Sequence, residues 1–304
     1  MLNFEAIRTR PRIFRQLTGL TPAAFRTLLA DFERAYEDDR RERDRQRPTP
    51  RQRRPGGGAK GVLSTPADKL VFPLFYFRQY PTQEVLAFLF GSSQGQACQW
   101  IHHLTPIVNR ALGHELQLPA RRPAPLQEVL KTCPGLEFLI DGTERPIRRP
   151  KDDDRRRDDY SGKKKRHTKK NIVITDKATG RVLGLGPTHA GSRHDKGCVD
   201  DDGYVFPEGS TLYKDTGFQG YEPEGVETHQ PKKKPRGQEL TPEEKERNRL
   251  ISRERVKVEH RIGGVKVFRI VADIFRNLKA GFVDLVMETA CGLFNLRLAS
   301  RVPA

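Results

Sequence analysis

The sequence is poor in acid, has no paired cysteines and holds no long apolar run. Its 304 residues carry 39 Asp and Glu against 56 Lys and Arg, a formal net charge of +17 and a pI near 9.9. So large a deficit of negative charge points to a polyanionic partner, and nucleic acid is the commonest one. Composition alone fits a ribosome-like or simply soluble basic protein equally well. Cys98, Cys133, Cys198 and Cys291 lie far apart with no C-x-x-C pair, which argues against a zinc site and predicts reduced thiols. No stretch reaches the roughly 18 apolar residues of a membrane span, and the N-terminal MLNFEAIRTRPRIF lacks an apolar signal core. The expected place of work is the cytoplasm, beside the nucleoid in a bacterial cell. No internal repeat is present.

What the sequence does have begins with helical signals. Thr21 as N-cap, followed by Pro22, opens a helix with Phe25, Leu28, Leu29 and Phe32 on one apolar face. Residues 1–37 read as a helical segment. Residues 38–61, almost without apolar side chains and closing in Pro and Gly, read as a flexible basic linker, lying on DNA phosphates or simply in solvent. Thr65 with Asp68 opens the next helix, and Thr82 opens another with Val85, Leu86, Phe88 and Leu89 turned inward. GSS breaks that helix, and Ser93 with Gln96 caps a third through Trp100, Ile101, Leu104 and Val108. Helix, short glycine turn, helix over 62–118 is the layout of a helix-turn-helix. It would turn Gln94, Gln96, Gln99 and His102 toward a major groove, where Gln pairs with adenine. An ordinary three-helix bundle has the same pattern.

Beyond a proline-rich joint at 119–125 the periodicity changes to that of strands: LEFLIDG, NIVITD, GRVLGLGPTHAG and STLYKD, with KATG as a turn. Residues 148–170 carry 12 Lys and Arg against 5 Asp, a basic loop that either grips a phosphate backbone or tips a solvated hairpin. A later helix is capped by Thr241 and Glu244, and VDLVMETACGLFNLRLAS is an apolar amphipathic helix suited to sealing the core of an α/β domain over 130–302.

Asp141 and Asp215 each follow an apolar strand, where a sheet edge opens to ligands. Taken singly, each reads best as a turn residue, Asp-Gly at 141–142 being a good turn dipeptide. As a pair in so basic a chain they suit a hard divalent cation. A third acid would come from the capped helix, as Glu254 or Glu259. Arg255, Glu259, Ile262 and Lys266, spaced 4, 3 and 4 apart, would share a face. An exposed ion-pair network has the same spacing, and Gly263-Gly264 threatens to end the helix before Lys266. His189, His194 and Asp195 of THAGSRHD lack a third ligand at zinc spacing and read as structural or substrate-positioning residues. Glu144 and Arg145 are expected at the mouth of the site.

The ordered set FLIDGTERPIRRP, YSGKKKRHTKKNIVITD, GSRHD, YKDTGFQGY and RVKVEHRIGGVKVFRI resembles the DDE superfamily endonuclease transposases of bacterial insertion sequences, relatives of Harbinger-type enzymes, over roughly residues 64–300. The resemblance implies an RNase H-like core with Asp141, Asp215 and Glu259 as the catalytic and metal-holding acids. Glu259 is preferred over Glu254 because Arg255, Glu259 and Lys266 match Tyr-x2-Arg-x3-Glu-x6-Lys, with Ser252 in place of the Tyr. It further implies Mg²⁺ or Mn²⁺, two ions about 3.5–4 Å apart, for in-line attack on a phosphodiester. Arg255 and Lys266 would neutralise phosphate, and Lys163, Lys164, Lys165, Lys169 and Lys170 would hold DNA ends. Gln96 and Gln99 would read bases. The implied partners are double-stranded DNA, both terminal inverted repeats and target, and a second copy of the chain when two ends are paired; no membrane and no small-molecule substrate is implied. The rivals are a helix-turn-helix regulator without catalysis, a metal-dependent nuclease that does not join ends, and, last, a purely structural basic protein.

Overall fold

The computed structural model describes residues 1–49, 61–235, 237 and 239–300. They form two compact units, one of residues 1–118, 267–271 and 285 onward, the other of 119–266 and 272–284.

The first unit is helical: α1 (Phe4–Arg8), α2 (Pro11–Thr18), α3 (Pro22–Arg45), α4 (Pro66–Gln79), α5 (Gln83–Phe90) and α6 (Gln94–His114). Thr21 caps α3 by accepting from the Ala24 amide, and Thr65 with Asp68 forms a full capping box on α4. Helix α3 runs to Arg45, eight residues into the stretch that composition assigns to a linker. Pairs one turn apart, Arg40–Glu37 at 2.9 Å and Arg43–Asp39 at 2.8 Å, hold that end without apolar content. Residues 50–60 of the expected linker lie outside the described residues. Two short helices, α1 and α2, precede the expected first one, and they pack through Phe4, stacked on Phe25 at 5.3 Å, and Phe14. In α5 the inward positions are Leu86, Ala87 and Phe90, whereas Val85 and Phe88, expected inside, are exposed, Phe88 by 83%. Phe90 takes the inward place against Phe72 and Phe75, and that fixes the rotation of this eight-residue helix. Gly91 in the left-handed region (φ 68°) turns α5 into α6. On α6, Ala97, Ile101, Leu104 and Val108 are buried, while Gln94, Gln96 and Gln99 stand in solvent.

The second unit contains α7 (Pro123–Lys131), β1 (Glu137–Pro146), α8 (Asp153–Asp158), β2 (Tyr160–Ser161), β3 (Arg166–Asp176), β4 (Val182–Leu185), β5 (His189–Ala190), α9 (Asp195–Asp202), β6 (Ser210–Tyr213), β7 (Val226–His229) and α10 (Pro242–Val265). The last three residues of the proline-rich joint are the start of α7, with Pro123 in its first turn, and 119–122 precede the helix. The charged tract 148–170 is likewise not one loop, since it holds α8, β2 and the first five residues of β3. The sheet order is β2-β3-β1-β6-β7, with β4 and β5 also on β3; β1 is antiparallel to β3 and parallel to β6, and β6 is parallel to β7.

The two-residue alternation of β1 sorts its side chains to two faces. Phe138 and Ile140, with Leu212, face a core that includes Leu126 and Leu130 of α7 and Cys198 and Val199 of α9. Leu139, with Tyr213, faces Val258 and Ile262 of α10. This mixed sheet between helices is an RNase H-like α/β fold. Helix α10 carries the expected Thr241–Glu244 capping box and passes through Gly263-Gly264 to Val265. The last helix, α11 (Phe282–Ala299), groups from Leu285 onward with the helical unit.

Candidate active site

Asp141 lies in mid-strand, opposite Val173 of β3, and β1 continues to Pro146, so no turn forms at Asp141-Gly142. What ends there is the other ladder: β1 and β6 pair only as far as Leu139 opposite Tyr213. Two residues past that pair stand Asp141, still within β1, and Asp215, just beyond the end of β6. Asp141 carries the parity of Leu139, hence the face covered by α10. Asp141 accepts from the Gly142 amide at 2.8 Å; Asp215 caps a single 3₁₀ turn, accepting from the Gly217 amide at 2.5 Å. Burial, and next the charge of Asp215, lift the Asp141 carboxyl from its ordinary 3.8 to about 6, against an opposing pull from Arg255.

Helix α10 delivers cations to this pair. Arg255 Nη2 is 3.6 Å from Asp215 Oδ2, both side chains being under one fifth exposed. One helical stripe later, Lys266 is lowered from the usual lysine range by burial, and then by the nearby charge of Lys164, while Asp141 and Glu144 pull it back up. The expected face thus exists in part: Val258 and Ile262 anchor it, Arg255 reaches Asp215, and Lys266 feels the charge of Asp141. Glu259 sits about 40° round the helix from Arg255 and is exposed. Among the described residues no three His, Cys, Asp or Glu side chains are gathered closely enough to hold a metal ion. The structure therefore brings Asp141, Asp215, Arg255 and Lys266 together and leaves Glu259 at the rim. Two carboxylates, the first of which feels the charge of the second, nevertheless form the donor chemistry of a hard divalent cation.

Asp195 is nearer the pair than its motif suggested. A Cβ on Gly142 would lie 2.7 Å from Asp195 Oδ1, and one on Gly217 would lie 2.7 Å from Asp195 Oδ2 and 2.8 Å from Asp215 Oδ1. The Asp195 carboxylate thus rests on the two glycines that follow Asp141 and Asp215, and neither glycine has room for a side chain. Lys170 Nζ holds it at 2.8 Å, donates to the Arg193 carbonyl at 2.6 Å, and lies 3.8 Å from Glu144. The charge pattern groups Lys170 with the DNA-holding lysines; its ammonium is instead buried in this acidic nest. Lys169 is paired with the buried Asp159 at 2.7 Å. Lys163, Lys164 and Lys165 are exposed at the β2–β3 turn.

Glu144 and Arg145 are not at a mouth. Glu144 accepts from Thr168 Oγ1 at 2.7 Å, and Arg145, 1% exposed, donates to the Val283 carbonyl at 2.7 Å and Asn171 Oδ1 at 2.5 Å. His189 pairs with Asp202 at 2.8 Å, whose other oxygen accepts from Tyr204 at 2.6 Å, tying β5 to the end of α9. His194 is exposed. No spacing in the sequence announces the Lys170–Asp195 contact; the one available signal is a lysine within an apolar strand run.

A sheet of this topology, with paired acids past the end of its central parallel ladder, is that of the RNase H-like enzymes that cleave phosphodiesters. The family described as DDE superfamily endonuclease matches residues 140–295, and the helix-turn-helix of DDE superfamily endonuclease matches residues 62–113. The chain belongs to the DDE superfamily of endonucleases, enzymes that work with divalent metal ions. It is 28% identical over 298 residues, 97% of its own length and 98% of the relative's, to a probable transposase for insertion sequence element IS702 from Microchaete diplosiphon. It is 29% identical over 232 residues, 76% of its length and 80% of the relative's, to a putative transposase for insertion sequence element IS112 from Streptomyces albus G. No solved structure matches.

Proposed function

We propose that the chain is the transposase of an insertion sequence: it binds the terminal inverted repeats of its element, cuts at them and joins the 3′ ends to target DNA. The observation that carries this reading is the matched placement of Asp141 and Asp215 two residues past Leu139 and Tyr213, in a chain alignable almost end to end with a relative described as a probable transposase. Asp141 and Asp215 would hold Mg²⁺ or Mn²⁺, with Glu259 as the third acid, reaching them from the rim of α10. Two such ions would supply an activated water or 3′-OH and a stabilised leaving oxygen. Arg255 and Lys266 neutralise and orient the phosphate between them. Lys163, Lys164 and Lys165 track the backbone of the DNA end, and Gln96 and Gln99 read base edges from the second helix of the helix-turn-helix. The working form on two paired ends is at least a dimer, in the cytoplasm beside the nucleoid; no helix among the described residues is long and apolar enough to cross a membrane.

The test is an end-labelled assay: the full chain, Mg²⁺ or Mn²⁺, duplexes bearing the element's ends, and a target plasmid. Nicking at the end followed by label joined to plasmid is expected. Nicking without joining would leave a nuclease, and binding without nicking would leave a regulator.

A further inference from the structure

The second unit carries a groove of about 750 Å³ away from the acids, where β1 gives way to the segment 147–155 and faces residues 275–283. Ile147 pairs with Phe275 in a parallel bridge, closed by the Phe275 amide on the Pro146 carbonyl at 2.8 Å. Ile147, Pro150, Phe275 and Leu278 give the groove an apolar lining, and Leu278 is 85% exposed on the segment RNLKAG. Around it stand Arg148, Arg149, Lys151, Arg155 and Lys279, none with an ion pair among the described residues. Of the three acids in the lining, Asp159 is taken by Lys169 and Asp152 caps α8 through the Arg155 amide, which leaves Asp158. An apolar slot with a ring of uncommitted cations matches a nucleotide, whose base is apolar on its faces and whose phosphate is anionic.

Its place on the sheet decides which nucleotide. Asp141, Thr143 and Arg145 share one parity of β1, Ile147 follows just past its end, and Lys169, which also lines the groove, stands opposite Arg145. The groove therefore lies six residues along the chain from Asp141, about 20 Å away by strand rise, with the buried Thr143 and Arg145 between them. That span is about six base-pair steps of duplex.

We propose that this groove receives one unpaired nucleotide of the DNA being processed, about six base pairs from the cut, with Leu278 wedged into the stack it leaves. The proposal rests on the nucleic-acid reading above. Pulling a base out costs unstacking, and an apolar wedge together with a base-sized slot offsets it. A nucleotide that is already unpaired spares that cost.

The test is fluorescence anisotropy of the full chain with two labelled duplexes of about 30 base pairs and one sequence, the first fully paired and the second with a single-nucleotide bulge near its centre. The wild type is expected to bind the bulged duplex about tenfold more tightly. Leu278→Ser, at an exposed position, should cut that preference to about twofold or less while leaving thermal stability unchanged. Equal affinity of the wild type for both duplexes, or a Leu278→Ser chain that keeps the full preference, overturns the proposal. If both duplexes bind alike and end cleavage still proceeds, this inference alone falls; if neither binds, the nucleic-acid reading falls with it.

Discussion

Asp141 and Asp215 each stand two residues beyond the last ladder pair of two adjacent parallel strands, Leu139 and Tyr213. Asp141 is still within β1, whereas Asp215 lies just past the end of β6, fixed as the cap of a 3₁₀ turn. Arg255 lies 3.6 Å from the second of them.

Asp141→Asn, Asp215→Asn and Glu259→Gln should each lower metal-dependent cleavage by at least about 10²-fold with DNA affinity unchanged. Glu254→Gln, whose carboxylate is engaged by Lys257, should cleave normally. Cleavage time courses beside gel-shift titrations decide the matter; a fully active Glu259→Gln chain would remove Glu259 from the site.

Asp141 also gives a pH signature. In the metal-free folded chain its proton is held up to about pH 6, in the unfolded chain up to about 3.9. Protonation therefore favours the folded state fully below the unfolded value, and that advantage is lost as pH rises through 6. Asp141→Asn should accordingly raise metal-free stability by roughly 2 kcal/mol at pH 7.5, and by little at pH 4. Urea titrations at the two pH values, with chelator present, measure it.

Lys170 should behave as a buried counter-ion. Lys170→Met leaves Asp195 and Glu144 without their cation and should cost about 3 kcal/mol by urea denaturation. Adding Asp195→Asn to that chain should restore part of the loss. Additive losses would mean the two side chains do not interact.

Surface lysines should show themselves in salt dependence instead. Replacing Lys163, Lys164 and Lys165 by Ala should lower the slope of log affinity against log salt by about two to three. Gln96→Ala with Gln99→Ala should relax sequence preference and leave the slope alone. Competition binding across salt concentrations separates the two effects.

Local signals carried far in this chain. Every proposed cap was chemically specific, so Thr21, Thr65, Ser93 and Thr241 are where the helices begin. The pairing of Asp141 with Asp215 was legible because each stands at or just past the end of an apolar strand segment, Phe138–Ile140 and Leu212–Tyr213. What the pattern hid depends on partners distant in sequence. Arg145 is drawn inside by the Val283 carbonyl, 138 residues on, and Lys170 by Asp195. A run of charge along α3 reads as a linker until its side chains are seen to pair along the helix. Turn chemistry misled at Asp141-Gly142, where the glycine makes room for Asp195 and not for a bend.

The ladder of nine residue pairs between β1 and β3 has two ends of different temper. Its Phe138–Asp176 end is walled in by the core, and Asp141 lies close to it. Its Pro146–Thr168 end opens on a tract of surface charge that shares no ladder pair with Asp141. Changes of length and composition in the exposed part of that tract would leave the register at Asp141 as it is.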